Sequence, residues 1–193
     1  VADGRALWSD DFDEPMANLF ELQDTVARKV VSALSVQLSP EQSRRVRQPP
    51  TRSMAAYQHY VSGLYLWQRR MPSAAEQFEA ALQEDPRYAE AWSGLAGALA
   101  AQAVYGYAPP QSVFPRAKQA ALQAMALDPE LASAHSALAH ALVQYERRYW
   151  EGEQEYLRAL SLDPSDANTW MRLALVRGML GRLDEAQVDM TRA

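Results

Sequence analysis

An acidic run near the start of the chain is the first candidate for chemistry, because carboxylates bind hard cations such as Ca²⁺. The run contains Asp10, Asp11, Asp13 and Glu14. Its spacing differs from that of an EF-hand loop, which needs a glycine turn and a terminal glutamate. We therefore expect these residues to form an exposed strand end that leads into a helix, with no bound metal.

The three histidines are the second candidate, since imidazole binds metal ions and transfers protons near neutral pH. His135 and His140 are five residues apart, whereas side chains share a helix face at spacings of three or four. His59 is distant from both in the sequence. His135 occupies a position that holds tryptophan in two similar segments, so we expect a packed, partly polar core residue. The sequence predicts neither a metal nor a cofactor.

Motifs for nucleophilic catalysis and for phosphate binding are missing from the sequence. No serine lies in a Gly-x-Ser-x-Gly elbow, and no glycine-rich phosphate loop is present. The chain has no cysteine, which excludes a thiol nucleophile and a thiolate-bound metal. We expect a protein that is not an enzyme.

The charge and hydropathy of the chain disfavour two further classes of protein. The formal net charge is −5, whereas nucleic acid-binding domains are commonly basic, so we expect no direct nucleic acid binding. No run of about 18 apolar residues is present, so the sequence predicts no membrane insertion. Four arginines beside a Pro-Pro pair are expected to mark an exposed helix end and a linker: Arg44, Arg45, Arg47 and Arg52.

The elements that position these side chains follow from an internal repeat. Asp-Pro pairs end three similar segments, at Pro86, Pro129 and Pro164. Proline disfavours helical geometry in the residue before it, so each pair predicts the end of a helix. Large and small residues then recur at helical spacing: Trp92, Leu95, Ala96 and Leu99; His135, Leu138, Ala139 and Leu142; Trp170, Leu173, Ala174 and, imperfectly, Arg177.

Second helices follow these first helices and carry small and large residues at matching positions. The clearest are Ala74, Phe78, Ala81 and Ala186, Met190, Ala193. The combined pattern resembles the tetratricopeptide repeat, a helix–turn–helix unit of about 34 residues. The resemblance covers about residues 55–193 and about four units, of which the last stops before its Asp-Pro pair. It implies an all-α fold, a right-handed superhelix of antiparallel helix pairs.

The second unit is longer than the others, and its extra residues are rich in aromatic side chains and proline. Tyr105, Tyr107 and Phe114 are expected in a lengthened loop between the two helices of this unit. Such a loop either packs locally over the helix pair or serves as a contact site, because loops on rigid scaffolds often carry function.

The resemblance also implies that the first helices line a concave groove for a protein or peptide segment. No lysine occupies the groove positions, which disfavours a site that clamps a C-terminal carboxylate. Only Asn168 and the nearby Arg172 suggest such a site. The alternative is that another helix of the parent protein fills the groove. The candidate groove residues are His59, Trp67, Glu90, Ser93, Ser136, His140, Gln144, Asn168, Met171, Arg172 and Leu175.

The first 50 residues do not repeat. A strand is predicted at residues 5–12, a helix from Asn18, and a second helix start at Ser39. Residues 4–13 (GRALWSDDFD) and 20–24 (FELQD) resemble the end of a TolB-like α/β domain, which precedes tetratricopeptide arrays in many bacterial proteins. We therefore expect a strand–helix remnant of that domain plus a linker at residues 1–50, and the array at residues 51–193.

The leading functional hypothesis is a non-catalytic protein–protein interaction scaffold. By resemblance it is the sensory or partner-binding arm of a bacterial signalling protein, either a CadC-like transcriptional regulator or an adenylate cyclase. The alternative is a structural spacer or a self-associating module that forms a homodimer, because Leu7 and Trp8 have lost their natural cover. A third hypothesis is a module that senses a small molecule. The expected compartment is the cytoplasm, or the periplasm if the parent has an upstream membrane span.

Overall fold

The computed structural model describes residues 50–193. The chain divides into two units between Arg52 and Ser53, and every helix given below belongs to the second unit. Several predicted features lie outside the described residues: the strand at residues 5–12, the helix from Asn18, the helix start at Ser39, the acidic run, and Arg44, Arg45 and Arg47.

Residues 53–193 form eight α-helices and one π-helical turn, with no strand among them. The π-helical turn, Leu142–Glu146, directly extends the fifth helix. The helices are α1 (Met54–Gln68), α2 (Ala74–Glu84), α3 (Ala89–Val104), α4 (Pro110–Leu127), α5 (Ala132–Ala141), α6 (Tyr149–Leu162), α7 (Ala167–Met179) and α8 (Leu183–Arg192).

Consecutive helices pack as four pairs: α1 with α2, α3 with α4, α5 with α6, and α7 with α8. The second helix of each pair also packs on the first helix of the next pair. The first helices α1, α3 and α5 contact one another in sequence order. An array of this kind buries its apolar faces by stacking neighbouring units. The expected all-α repeat fold is confirmed.

The Asp-Pro pairs end helices as predicted, and the aspartate side chains explain how the chain turns afterwards. Asp85, Asp128 and Asp163 follow the last residues of α2, α4 and α6 and have extended backbone angles. Each carboxylate Oδ1 accepts a hydrogen bond from the backbone N–H two residues later, at 2.9, 2.9 and 3.0 Å. These bonds form Asx turns, which orient the entry to the next helix.

On each helix that follows an Asp-Pro turn, a side-chain ring nitrogen donates a hydrogen bond to the carbonyl oxygen of that proline. Trp92 Nε1 donates to the carbonyl oxygen of Pro86 at 2.9 Å, and Trp170 Nε1 donates to that of Pro164 at 2.9 Å. His135 stands at the same position of the third repeat, and its Nε2 donates to the Pro129 carbonyl at 3.0 Å. His135 is buried, in agreement with the packed core residue that we expected.

The turn inside each helix pair contains one residue in the left-handed backbone region. Gly106 and Gly181 supply it in the second and fourth pairs, with φ of 75° and 79°. Arg70 and Arg147 adopt the same region in the first and third pairs, with φ of 58° and 59°. Glycine adopts this region without the steric penalty of a Cβ atom. The geometry of these two turns therefore suits glycine better than arginine.

The long second unit differs from the expectation of a lengthened loop. Its extra residues extend the helices, so that α3 ends at Val104 and α4 begins at Pro110 after a short turn. Pro110 is the first residue of α4, a position where the fixed φ of proline favours a helix start. Phe114 therefore lies within α4 rather than in a loop, where it is buried and stacks on the Tyr145 ring at 5.5 Å.

Candidate binding groove

Side chains from α1, α3, α5 and α7 line a groove with a cavity of about 420 Å³. The four helices are the first members of the four pairs. The groove lies within the second unit of the chain. Its lining consists of Tyr60, Leu64, Trp67, Glu90, Ser93, Gly94, Ala96, Gly97, Ala100, Ser133, Ser136, Ala137, His140, Asp166, Asn168 and Arg172.

Small residues on α3 form the floor and leave room for larger side chains. A Cβ atom on Gly97 would lie 2.8 Å from Cζ2 of Trp67, so the indole ring rests directly against the backbone of α3. A Cβ atom on Gly94 would lie 2.5 Å from Cε1 of Phe78, which is fully buried. The small residues thus hold two aromatic rings in place, one of them at the groove surface.

Hydroxyl groups join the first helices across the groove floor. Ser93 Oγ on α3 donates to Ser133 Oγ on α5 at 2.9 Å. Ser136 Oγ on α5 lies 2.7 Å from Thr169 Oγ1 on α7. The Thr169 hydroxyl in turn donates to Asp166, whose carboxylate also accepts from the backbone N–H groups of Asn168 and Thr169. Because buried polar groups need partners, these bonds favour a fixed spacing between neighbouring helices.

The two ends of the groove differ in polarity. Tyr60, Leu64, Trp67 and Glu90 line the end formed by α1 and the start of α3. Burial raises the pKa of Tyr60 to about 12, with a further contribution from Glu90. The tyrosine is therefore neutral at physiological pH.

His140, Asn168 and Arg172 line the other end. Burial and, to a lesser extent, the nearby Arg172 guanidinium lower the pKa of His140 to about 3, so the imidazole is neutral at pH 7. Arg172 also lies near the buried Tyr156 hydroxyl, where its charge opposes the rise that burial causes in the pKa of this tyrosine. No carboxylate among residues 50–193 lies within ion-pair distance of Arg172. This end of the groove therefore presents a positive charge that a bound carboxylate could neutralise.

The chemistry that this arrangement supports is recognition. Within the described part of the chain, no group of three or more His, Asp and Glu side chains is placed to hold a metal ion. In the same residues, no helix is both long and apolar enough to cross a membrane. The groove instead combines an aromatic end, a hydroxyl-rich floor and a cationic end.

Comparison with known proteins identifies the repeat. Residues 155–188, which run from α6 through α7 into α8, match the tetratricopeptide repeat in sequence. Solved structures, among them one of a tetratricopeptide repeat (TPR) protein, superpose on the chain over most of its length. The array has the tetratricopeptide-repeat fold. No curated protein matches the chain in sequence.

Three of these solved structures indicate the extent of the likeness. The first TPR of Spaghetti (RPAP3), bound to the HSP90 peptide SRMEEVD, is 18% identical, with a TM-score of 0.54 over 69% of this chain and 99% of that one. MamA is 17% identical, with a TM-score of 0.52 over 94% of both chains. Pseudomonas aeruginosa pilF is 17% identical, with a TM-score of 0.54 over 91% of this chain and 71% of that one. At these identities the likeness concerns the fold alone.

Seven of the eleven predicted groove residues line the groove of the TPR array, and their role in binding stays a prediction. They are Trp67, Glu90, Ser93, Ser136, His140, Asn168 and Arg172. Of the other four, His59 Nδ1 lies 3.0 Å from Gln77 Oε1 on α2. Gln144 is half-buried in the π-helical turn, while Met171 and Leu175 lie exposed on α7.

Sequence reasoning missed Tyr60, Leu64 and Asp166. In the first repeat, the groove position belongs to Tyr60 rather than to its neighbour His59, a slip of one residue along α1. Asp166 is the N-cap of α7, and an aspartate just before a helix is a recognisable sequence signal. Tyr105 and Tyr107 lie in the α3–α4 turn as predicted, outside the groove lining, and both are exposed.

Proposed function

We propose that the array is a non-catalytic protein–protein interaction scaffold whose groove binds an extended or helical polypeptide segment. The observation that carries this proposal is the roughly 420 Å³ groove shared by the four first helices, with Arg172 at one end and Trp67 at the other. A groove with aromatic side chains at one end and a guanidinium group at the other can fix both the position and the direction of a bound chain.

The related structures are consistent with this proposal. The first TPR of Spaghetti is bound to a peptide of HSP90, so the same fold accommodates a polypeptide segment in at least that protein. In this chain the side chains that line the groove determine which ligand binds, and the likeness to other structures does not.

Selection of peptides followed by calorimetry tests the proposal. Peptides selected from a random display library against the purified chain should bind with micromolar dissociation constants. Arg172→Ala should raise the dissociation constant of carboxylate-bearing peptides about tenfold, which corresponds to about 1.4 kcal/mol. Leu122→Ala is the matched control, because Leu122 is exposed on α4 away from the groove. Selected peptides whose affinity no groove substitution changes would contradict the proposal.

We extend the proposal to a role as the partner-binding arm of a bacterial signalling or transcription regulator, in the cytoplasm or, behind a membrane span, in the periplasm. Its support is the resemblance of residues 4–13 and 20–24 to the end of a TolB-like domain. Deletion of residues 55–193 from the parent protein should abolish its regulation while the parent remains folded. Regulation that survives this deletion would rule the role out.

A further inference from the structure

An exposed cluster of aromatic and arginine side chains lies beside the groove, at the turns of the first two repeats. We call it the aromatic–arginine edge: Tyr65, Arg69, Arg70, Tyr105 and Tyr107. The three tyrosines are 55%, 46% and 56% exposed. None of the five residues lines the groove. The edge is therefore a separate surface, and the proposed groove function does not account for it.

Contacts across the two turns hold the edge together. The Arg69 guanidinium lies 4.8 Å from the Tyr65 ring centre, and that of Arg70 lies 5.5 Å from the Tyr105 ring centre. Tyr105 and Tyr107 pack edge to face, with 6.4 Å between their ring centres. Gln102 Nε2 on α3 donates to the Pro72 carbonyl in the first turn at 2.9 Å. Cation–π contacts and this bond join the two turns into one surface.

The edge is a positively charged region of an acidic chain. Neither residues 53–75 nor residues 91–127 contain an aspartate or a glutamate, although the whole chain carries a formal charge of −5. Arg69 and Arg70 form no ion pair within the described residues. Two guanidinium groups therefore lie beside exposed aromatic faces, and no carboxylate of residues 50–193 forms an ion pair with them.

We propose that the aromatic–arginine edge is a second interaction surface, which binds an acidic protein segment that also carries aromatic or aliphatic side chains. Guanidinium groups pair with carboxylates through two parallel hydrogen bonds. Tyrosine and arginine are the residue types that contribute most to binding energy at protein interfaces. The edge supplies both types, pre-positioned by their mutual contacts.

Charge decides between this partner and a single-stranded nucleic acid. Bases also stack on aromatic rings beside arginine, but affinity for the phosphate backbone grows with the number of neutralised phosphates. The edge offers two cations, Arg69 and Arg70, which can neutralise few of the phosphates along a single strand. A short acidic protein segment needs only these two.

Fluorescence anisotropy with three labelled probes tests the proposal on the full chain. The probes are a decapeptide rich in glutamate and phenylalanine, the same peptide with lysine in place of glutamate, and an oligouridine of similar length. We expect the acidic peptide to bind most tightly and to weaken with added salt, because exposed charges are screened. Arg70→Ala and Tyr105→Ala should each raise its dissociation constant about tenfold.

Two controls make the outcome specific to the edge. Arg158→Ala removes the same charge from an exposed position on α6 and should not change binding of the acidic peptide, whereas equal weakening by this variant would reduce the effect to net charge. In a chain that already carries Arg172→Ala, and so lacks the groove cation, Arg70→Ala should still raise the dissociation constant about tenfold, and no further weakening there would assign the peptide to the groove. Tighter binding of oligouridine or of the lysine peptide, or no binding of the acidic peptide, would overturn the proposal. So would a dimer that Tyr105→Ala dissociates, because the edge would then belong to a second copy.

Discussion

The guanidinium of Arg177 lies 2.7 Å from the carboxylate of Asp189, and this ion pair joins the two helices of the last repeat. Its Nε donates to Glu153 Oε1 on α6 at 2.9 Å, and Arg182 donates to the same carboxylate at 2.8 Å. Glu153 is 2% exposed and Asp189 is 1% exposed. Arg177 stands where the repeat pattern expects an apolar residue, so buried charges replace apolar packing at this position.

Removal of one partner from this cluster should destabilise the array strongly. Asp189→Ala removes the carboxylate that pairs with Arg177 Nη1, so that Arg177 and Arg182 share the buried Glu153. Breaking a buried pair in this way costs about 3–5 kcal/mol. Glu185→Ala is the control, because Glu185 is an exposed member of the same cluster and surface ion pairs contribute about 0–1 kcal/mol. Urea unfolding followed by circular dichroism measures both. Equal losses in the two variants would contradict the account of the cluster.

The stability of the array should fall with acid because of His140. Its pKa of about 3 in the folded state lies below its ordinary value of 6.5, so the unfolded chain binds a proton that the folded chain excludes. The stabilisation is therefore present above pH 6.5 and is lost as the pH falls towards 3. Between pH 7 and pH 5 the loss is about 2 kcal/mol.

His140→Gln should remove this part of the acid sensitivity. The free energy of unfolding, measured in urea, should fall between pH 7 and pH 5 by about 2 kcal/mol less in the variant than in the parent chain. Arg172 is the charged group that lies near His140 and acts on its pKa, and it is unchanged in this variant. If the free energy of unfolding falls equally in both proteins between pH 7 and pH 5, His140 is not the source of the acid sensitivity.

The small residues of α3 give a third prediction. Gly94→Ala places a Cβ atom 2.5 Å from the buried Phe78 ring, and overpacking of a core costs about 1–3 kcal/mol. Gly178→Ala on α7 is the matched control, since no atom lies within 4 Å of its Cβ position. Alanine there should stabilise the helix by about 0.5–1 kcal/mol. Thermal unfolding should therefore shift in opposite directions, and a rise for Gly94→Ala would show the prediction to be wrong.

The turns give a fourth prediction. Arg147 has a φ of 59°, and the left-handed region costs a residue with a Cβ atom about 1–2 kcal/mol. Arg147→Gly should therefore stabilise the array by about 1 kcal/mol. Gly181→Ala, at the equivalent turn of the fourth repeat, should destabilise it by a similar amount. Chemical denaturation measures the change in unfolding free energy of both variants. A less stable Arg147→Gly variant would mean that the arginine side chain stabilises the turn.

Sequence reasoning identified the repeat because its signals are local. The Asp-Pro pairs end helices through the restriction that proline places on the preceding residue, and this acts whatever the neighbours are. The ring nitrogen that bonds to the proline carbonyl is likewise visible as a tryptophan or a histidine six residues later. Such features need no knowledge of long-range contacts.

The features that were missed depend on packing between helices. The groove position of Tyr60, in place of His59, is set by how α1 rotates against α2 and α3, which the hydrophobic pattern of α1 alone leaves open. The sequence predicts Phe114 in a loop because the extra residues of the second unit are rich in aromatic side chains and proline, although proline also begins helices. In the sequence, Arg177 is visible only as an imperfect match to the repeat. Its ion cluster is not, because the partners Glu153 and Asp189 come from two other helices.

Site-specific photo-crosslinking tests the central claim, that the groove binds a polypeptide segment. A benzophenone side chain at Asn168, which is exposed and lines the groove, is compared with the same group at Leu122 on α4. A library-selected peptide should crosslink at position 168 and not at position 122, and an excess of unlabelled peptide should suppress the product. Crosslinking at position 122 alone, or equally at both positions, would contradict the groove as the binding site.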